Sequence, residues 1–215
     1  MGMKAIPIGI SDYRKLRQND YYYVDKTLMI KDFLERKSQV TLITRPRRFG
    51  KTINMSMMAE FFDITKDSKE IFKGTKIMDT PYAKEINQYP TIFISFANAK
   101  RDKETVVSTI KTQIQNQWDK YEYIFNNLKG FKKNKYNDLY NALAKYHSLA
   151  GINDAIGFLM ERLQDYYHKE VMVFIDEYDT PFIEAHTGGF YDEVKSGLSG
   201  LLHNSLKTSN SLKYA

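Results

Sequence analysis

The chain has 215 residues, 42% of them hydrophobic and 14% aromatic, which supplies enough apolar surface for the core of one α/β domain with or without an appendage and excludes a disordered chain. It contains no cysteine, so disulfides and cysteine-rich zinc sites are excluded. Lys and Arg outnumber Asp and Glu by 32 to 26, and the resulting charge of +6 favours phosphate-bearing partners without separating a nucleotide from a nucleic acid.

The amino terminus lacks the apolar run of a signal peptide, and no uninterrupted apolar segment approaches the roughly 20 residues that a membrane span needs. No membrane association and a cytoplasmic location are expected. Met1-Gly2 opens like an acylation signal, but Ile6 stands where Ser or Thr is required.

Ile6 to Val24, in the stretch IPIGISDYRKLRQNDYYYVDKT, reads as a loop-like segment closing on Tyr21-Tyr22-Tyr23-Val24. Its tyrosines either flank a nucleotide base or belong to the core. Asp25 is the expected N-cap of a helix whose apolar face is Leu28, Met29, Ile30, Phe33 and Leu34.

Val40 to Thr44 is a run of β-formers that feeds a turn ending in Gly50-Lys51-Thr52, and Ile53, Met57, Met58, Phe61 and Phe62 then recur at helical spacing. Strand, loop and helix in this order make the phosphate-binding loop of nucleotide-binding α/β proteins, whose pattern is G-x-x-x-x-G-K-[ST]. Arg45 occupies the first glycine position, and Pro46 biases it towards extended geometry. A triphosphate needs backbone N–H groups around it, an ammonium on its oxygens and a hydroxyl on Mg²⁺. Gly50, Lys51 and Thr52 meet these needs at the start of a helix, whose dipole favours an anion.

Asp63 to Pro90 reads as irregular, with a turn near Lys73-Gly74, and Thr91 to Phe96 as a second core strand. Three helical patterns follow: one on Val106, Val107, Ile110, Ile114, Trp118 and Tyr121, one on Leu139, Tyr140, Leu143 and Tyr146, and one on Ile152, Ile156, Leu159, Leu163 and Tyr166. Gly130 with Lys129, Lys132, Lys133 and Lys135 is expected to be a solvated linker between the first two. The whole run, about residues 100–168, is expected to be a helical insertion forming a lid or side lobe.

Val171 to Ile175 reads as a strand buried on both faces, which is typical of a parallel sheet. It delivers Asp176 and Glu177 to its C-terminal end, where ligands bind in open α/β sheets. The first acid suits Mg²⁺ and the second suits orienting or deprotonating an attacking water. Thr180-Pro181 is expected to end this stretch, Thr187-Gly188-Gly189 to make a flexible turn, and Tyr191 to Leu206 to form a last helix. Glu193-Val194-Lys195 has nuclease-like E-x-K spacing, but it falls within this helical pattern with no metal-binding strand before it. His147, His168, His186 and His203 form no ligand pair at helical spacing.

Three motifs in order, the IPIGISDYRKLRQNDYYYVDKT leader, TLITRPRRFGKTINMSM and FIDEYDTPF, closely resemble the AAA-ATPase-like family of bacterial proteins, over essentially the whole chain. In that family the ATPase domain commonly precedes a domain similar to PD-(D/E)XK nucleases, and nothing here corresponds to that second domain. The resemblance implies an α/β P-loop NTPase with a mainly parallel sheet, helices on both faces and the helical insertion. It makes Arg45 a family variant of the loop. The nucleotide is placed on Arg47, Arg48, Phe49, Gly50, Lys51, Thr52 and Ile53, with Mg²⁺ on Thr52 and Asp176 and with Lys51 and Glu177 as the catalytic groups. Arg47 and Arg48 either touch the terminal phosphate or pair with nearby acids, and Asp179 takes a structural role.

The expected activity is binding of ATP with Mg²⁺ and hydrolysis of its β–γ bond to drive a conformational change. The alternative is a nucleotide-gated module for nucleic acid or protein with little turnover. The resemblance also implies that the sheet continues beyond Ala215, with Leu212 to Ala215 beginning a strand that belongs between the acidic strand and the phosphate-loop strand. C-terminal strands are then missing, and each unpaired buried backbone group costs roughly 1–3 kcal/mol. Marginal stability, self-association through the open edges and low turnover are the expected consequences.

Overall fold

The structure, a computed structural model, describes residues 4–44 and 50–215. Its sheet has three parallel strands in the order β1 (Thr91–Ser95), β2 (Val171–Asp176) and β3 (Leu212–Tyr214). The central strand β2 carries the V-M-V-F-I run, and Val171 to Phe174 are all buried, as a continuous apolar strand requires.

On the far side of β3, the Ala215 N–H donates to the Gln39 carbonyl and the Ala215 carbonyl accepts from the Thr41 N–H, each at 2.8 Å. One residue bonded to positions i and i+2 of a neighbour is the parallel pattern. Leu212 to Ala215 therefore take the place expected from the resemblance, between the acidic strand and the chain that leads to the phosphate loop. Val40 to Thr44 do not form the expected regular strand. Val40 and Leu42 stay 47% and 63% exposed, so little burial drives one.

The chain divides into two compact units. The first comprises Met1–Phe93, Met172–Phe174 and Lys213–Ala215. Its helices are α1 (Tyr13–Gln18), α2 (Leu28–Arg36), α3 (Lys51–Phe62) and the short α4 (Lys69–Phe72). The leader is thus not all loop: Asp12 accepts from the Lys15 N–H at 2.7 Å and caps α1, which buries Tyr13 and Leu16. Asp63 to Pro90 also holds more order than expected, with 3₁₀ turns at Lys76–Asp79 and Pro81–Glu85. The core is aromatic, and Phe62 of α3 stacks on Phe174 of β2 with ring centres 6.0 Å apart. Phe33 of α2 meets Tyr214 of β3 edge to face at 5.6 Å. These contacts seat α3 through the residues that its spacing selects.

The second unit comprises Ile94–Val171 and Ile175–Leu212. Between β1 and β2 it contains α5 (Lys103–Lys120), α6 (Gly130–Ala144) and α7 (Ala155–Tyr167), and after β2 come α8 (Thr180–Gly188) and α9 (Tyr191–Leu206). The expected basic linker is instead the start of α6. Lys132 pairs with Asp165 at 3.0 Å and Lys135 with Asp154 at 3.1 Å, so two of the four lysines have an acidic partner, and Lys133 lies over the Tyr136 ring. The other end of α6 is capped by α5: the fully buried Lys111 donates to the carbonyls of Ala142, at 2.6 Å, and Lys145, and Gln115 donates to Leu143 at 3.2 Å. Burial, with Lys145 nearby, pushes the Lys111 ammonium below the usual lysine range.

An unexpected helix, α8, starts at Thr180, because Pro181 stands in a first helical turn where its missing N–H costs nothing, and of the expected turn residues Thr187 and Gly188 end this helix while Gly189 follows it in the left-handed region. Glu193-Val194-Lys195 lies on α9, with Glu193 paired to Lys103 at 2.5 Å.

Two glycines in this unit should respond oppositely to alanine. A Cβ on Gly197 of α9 would stand 2.4 Å from Leu149 Cβ, and Gly197→Ala is expected to destabilise by about 1–3 kcal/mol. A Cβ on Gly157 of α7 meets only the Asn204 carbonyl at 3.7 Å, and Gly157→Ala should gain about 0.5–1 kcal/mol from helix propensity. Urea midpoints of the two variants check the opposite signs.

Candidate functional site

Gly50 has φ 74° and ψ 25°, the left-handed region, and stands immediately before α3. A glycine adopts this turn without strain. Lys51 and Thr52 are the first residues of α3 and Ile53 follows, all three half-buried. The helix closes behind them through the Asn54 N–H, which donates to the Gly50 carbonyl at 3.1 Å. Arg47, Arg48 and Phe49 lie outside the described residues.

The free N–H groups of the first turn, a lysine and a hydroxyl together are the donor set that a magnesium polyphosphate requires. Asn54 adds a further polar group. It is 4% exposed, and its Oδ1 has no hydrogen-bond partner among the described residues. It lies one turn after Gly50, two residues beyond Thr52.

Asp25 is not the N-cap of α2. Its Oδ1 accepts from the Thr27 N–H at 2.8 Å and the Thr27 hydroxyl at 2.7 Å, and its Oδ2 from the Lys76 N–H at 2.8 Å. Burial alone would raise this carboxyl, but the hydrogen bonds from Lys76 and Thr27 outweigh it and hold it below the ordinary aspartate range. The turn is thereby pinned, and it carries Lys26 to within 3.9 Å of the point where a Cβ on Gly50 would stand. Lys26 belongs to the leader motif, but no spacing rule ties it to Gly50 more than twenty residues later.

In the second unit, Asp176 ends β2 and is 3% exposed. The Ser95 hydroxyl at the end of β1 donates to its Oδ2 at 3.5 Å, and its carbonyl accepts from the Phe96 N–H at 3.0 Å. Glu177 follows with φ 54°, which a non-glycine residue adopts at a cost of roughly 1–2 kcal/mol. Its Oε2 accepts from the Thr180 hydroxyl at 3.0 Å, and its carbonyl from the Thr180 N–H at 3.1 Å. The strained turn thus has its carboxylate fixed through one oxygen, and no described residue donates to Oε1. Nothing local in the sequence marks Thr180 for this contact, since Thr180-Pro181 reads as a terminator rather than a helix start. Asp179 stands at the N-cap position of α8 without a side-chain cap bond. Among the described residues no cluster of three or more His, Cys, Asp or Glu side chains could hold a metal, and no helix is long and apolar enough to cross a membrane.

The parallel sheet of this α/β chain places its described residues in the class of P-loop-like α/β proteins. The family model described as predicted AAA-ATPase matches residues 7–215, and the chain belongs to this AAA-ATPase-like family. A curated relative, an uncharacterized protein in the vnfD 5′ region of Azotobacter chroococcum mcd 1, is 39% identical over 80 residues. That match covers 37% of this chain and 15% of the relative's length. No solved structure matches the chain. Membership in the family supports nucleotide binding.

Proposed function

We propose that the chain is a Mg²⁺-dependent ATPase domain that hydrolyses the β–γ bond and uses the cycle to drive a conformational change. The observation that carries this reading is Gly50 in the left-handed region immediately before Lys51 and Thr52 at the start of α3. In the proposal, the first-turn N–H groups and the Lys51 ammonium hold the phosphates. Thr52 would hold Mg²⁺, which would supply charge neutralisation when bound, and Asp176 is the acid that the family pattern assigns to the same ion. Glu177 orients the attacking water and takes its proton.

Charge distribution places the basic excess in the unit that carries the phosphate-loop helix. In the second unit Asp and Glu slightly outnumber Lys and Arg, so the chain's positive excess falls in the first unit, which contains the phosphate-loop helix. The test is a titration of Mg-ATP against the parent and Lys51→Ala. A lost charged hydrogen bond of about 1.5–3 kcal/mol should weaken binding roughly 10- to 150-fold without changing the thermal midpoint. Equal affinity in a folded variant would remove the basis for the proposal. Running GTP beside ATP sets the base preference.

A further inference from the structure

We propose that Lys26 is a second ammonium of the polyphosphate site, presented to the start of α3 by a turn that the rest of the leader motif holds in place. The proposal rests on the nucleotide reading above and deepens it by adding a ligand-contacting residue.

The Lys26 Nζ stands 3.9 Å from the Cβ position of Gly50, the residue that begins α3. A cation there opposes the helix dipole, whose positive end lies at the first turn, and it adds to the charge of Lys51. Among the described residues no carboxylate comes within 4.0 Å of this ammonium. The neighbouring sequence from position 45 to 49 adds Arg45, Arg47 and Arg48 and contains no acid. Lys26 thus adds positive charge at a helix end that already repels it. A polyanion supplies the missing counter-charge, and the nucleotide's own phosphates are the polyanion of this site.

The backbone around Lys26 is fixed from two sides. On one side, Asp25 accepts from Thr27 and from the Lys76 N–H, and the fully buried Thr27 hydroxyl accepts from the Ile77 N–H at 3.1 Å. On the other, the Lys26 N–H donates to the Tyr23 hydroxyl at 3.2 Å, and that hydroxyl donates to the Met57 sulfur at 3.3 Å. Met57 belongs to α3 itself. One of the two pins is thus on α3 itself, which keeps Lys26 in register with the start of that helix. Lys26 is exposed, so its ammonium is not held there by burial in the core. Rigid support around one projecting functional group is how a binding residue is preorganised.

The test titrates the 215-residue chain with Mg-ATP in four forms: parent, Lys26→Met, Lys26→Arg and Lys51→Met. Lys26→Met is expected to weaken Mg-ATP binding about 10- to 100-fold at an unchanged thermal midpoint, and Lys26→Arg to restore most of it. Parent-like binding by Lys26→Met beside a loss in Lys51→Met would overturn the role of Lys26 and leave the nucleotide reading standing. Parent-like binding by both would overturn the nucleotide reading, and the proposal with it. A loss in Lys26→Met that tracks a fall in thermal midpoint, without rescue by arginine, would make Lys26 a structural residue and also overturn the proposal.

Discussion

Glu177→Gln should cut ATP turnover by about 10²- to 10⁴-fold while Mg-ATP still binds. Glutamine has the length and branching of glutamate, and its amide oxygen can accept the Thr180 hydroxyl that now bonds to Glu177 Oε2. The strained backbone at φ 54° can then persist, because that hydrogen bond and the start of α8 are both kept. What disappears is the basic oxygen that takes a proton from water. Steady-state phosphate release, run beside a Mg-ATP titration, separates loss of chemistry from loss of binding. Turnover within twofold of the parent would show that Glu177 is not the base. A parent protein that binds nucleotide and releases no phosphate would instead favour the nucleotide-gated binding module.

Glu60→Gln should destabilise the fold by about 3 kcal/mol, the low end of the range for breaking a buried ion pair. Glu60 is only 2% exposed on α3. Its Oε1 accepts from Arg14 at 2.6 and 2.9 Å and from the Ser68 hydroxyl at 2.5 Å, and its Oε2 accepts from Lys66 at 2.6 Å. The low end applies because the Arg14 and Lys66 side chains are 32% and 38% exposed, and water partly relieves them when the carboxylate goes. At roughly 2–4 °C per kcal/mol for a chain of this size, the thermal midpoint should fall by about 6–12 °C.

The same group sets an acid limb. Burial alone would raise the Glu60 carboxyl, but the hydrogen bonds from Arg14, Lys66 and Ser68 outweigh it and hold it below the ordinary glutamate range. A carboxylate depressed by folding contributes its stabilisation fully above the unfolded value of about 4.3 and loses it as pH falls through the lower folded value. The gap between parent and Glu60→Gln should therefore be widest near neutrality and close in acid, where the protonated parent resembles the amide. Thermal midpoints at pH 7 and pH 3 check this, and a gap independent of pH would contradict it.

Much of this protein follows from local sequence rules. Five consecutive apolar residues at Val171 to Ile175 determined a doubly buried strand, since polar neighbours at any of these positions would need hydrogen bonds that the core does not offer. Helical spacing of Val194, Leu198, Leu201 and Leu202 determined a last helix, and α9 spans the expected Tyr191–Leu206. Gly50-Lys51-Thr52 between a β-rich run and an apolar helical pattern determined where a phosphate site is to be sought. In each case the residues involved are neighbours along the chain.

The remainder depends on partners far apart in sequence. Gly130 and its lysines read as a linker because polar, basic residues give no periodic signal. They become a helix once Asp154 and Asp165 pair with two of the lysines and Lys111 caps the far end. Val40 to Thr44 has strand composition, but a strand also needs a neighbour and a buried face, and here Ala215 pairs with Gln39 and Thr41 while Val40 and Leu42 stay exposed. Asp25 has the composition of an N-cap, yet the Lys76 N–H drew it into the pin that positions Lys26. Glu60 carries no local signal, because Arg14 and Ser68 come from other elements. A charge or polar group is defined by what surrounds it, and only the folded chain brings those surroundings together.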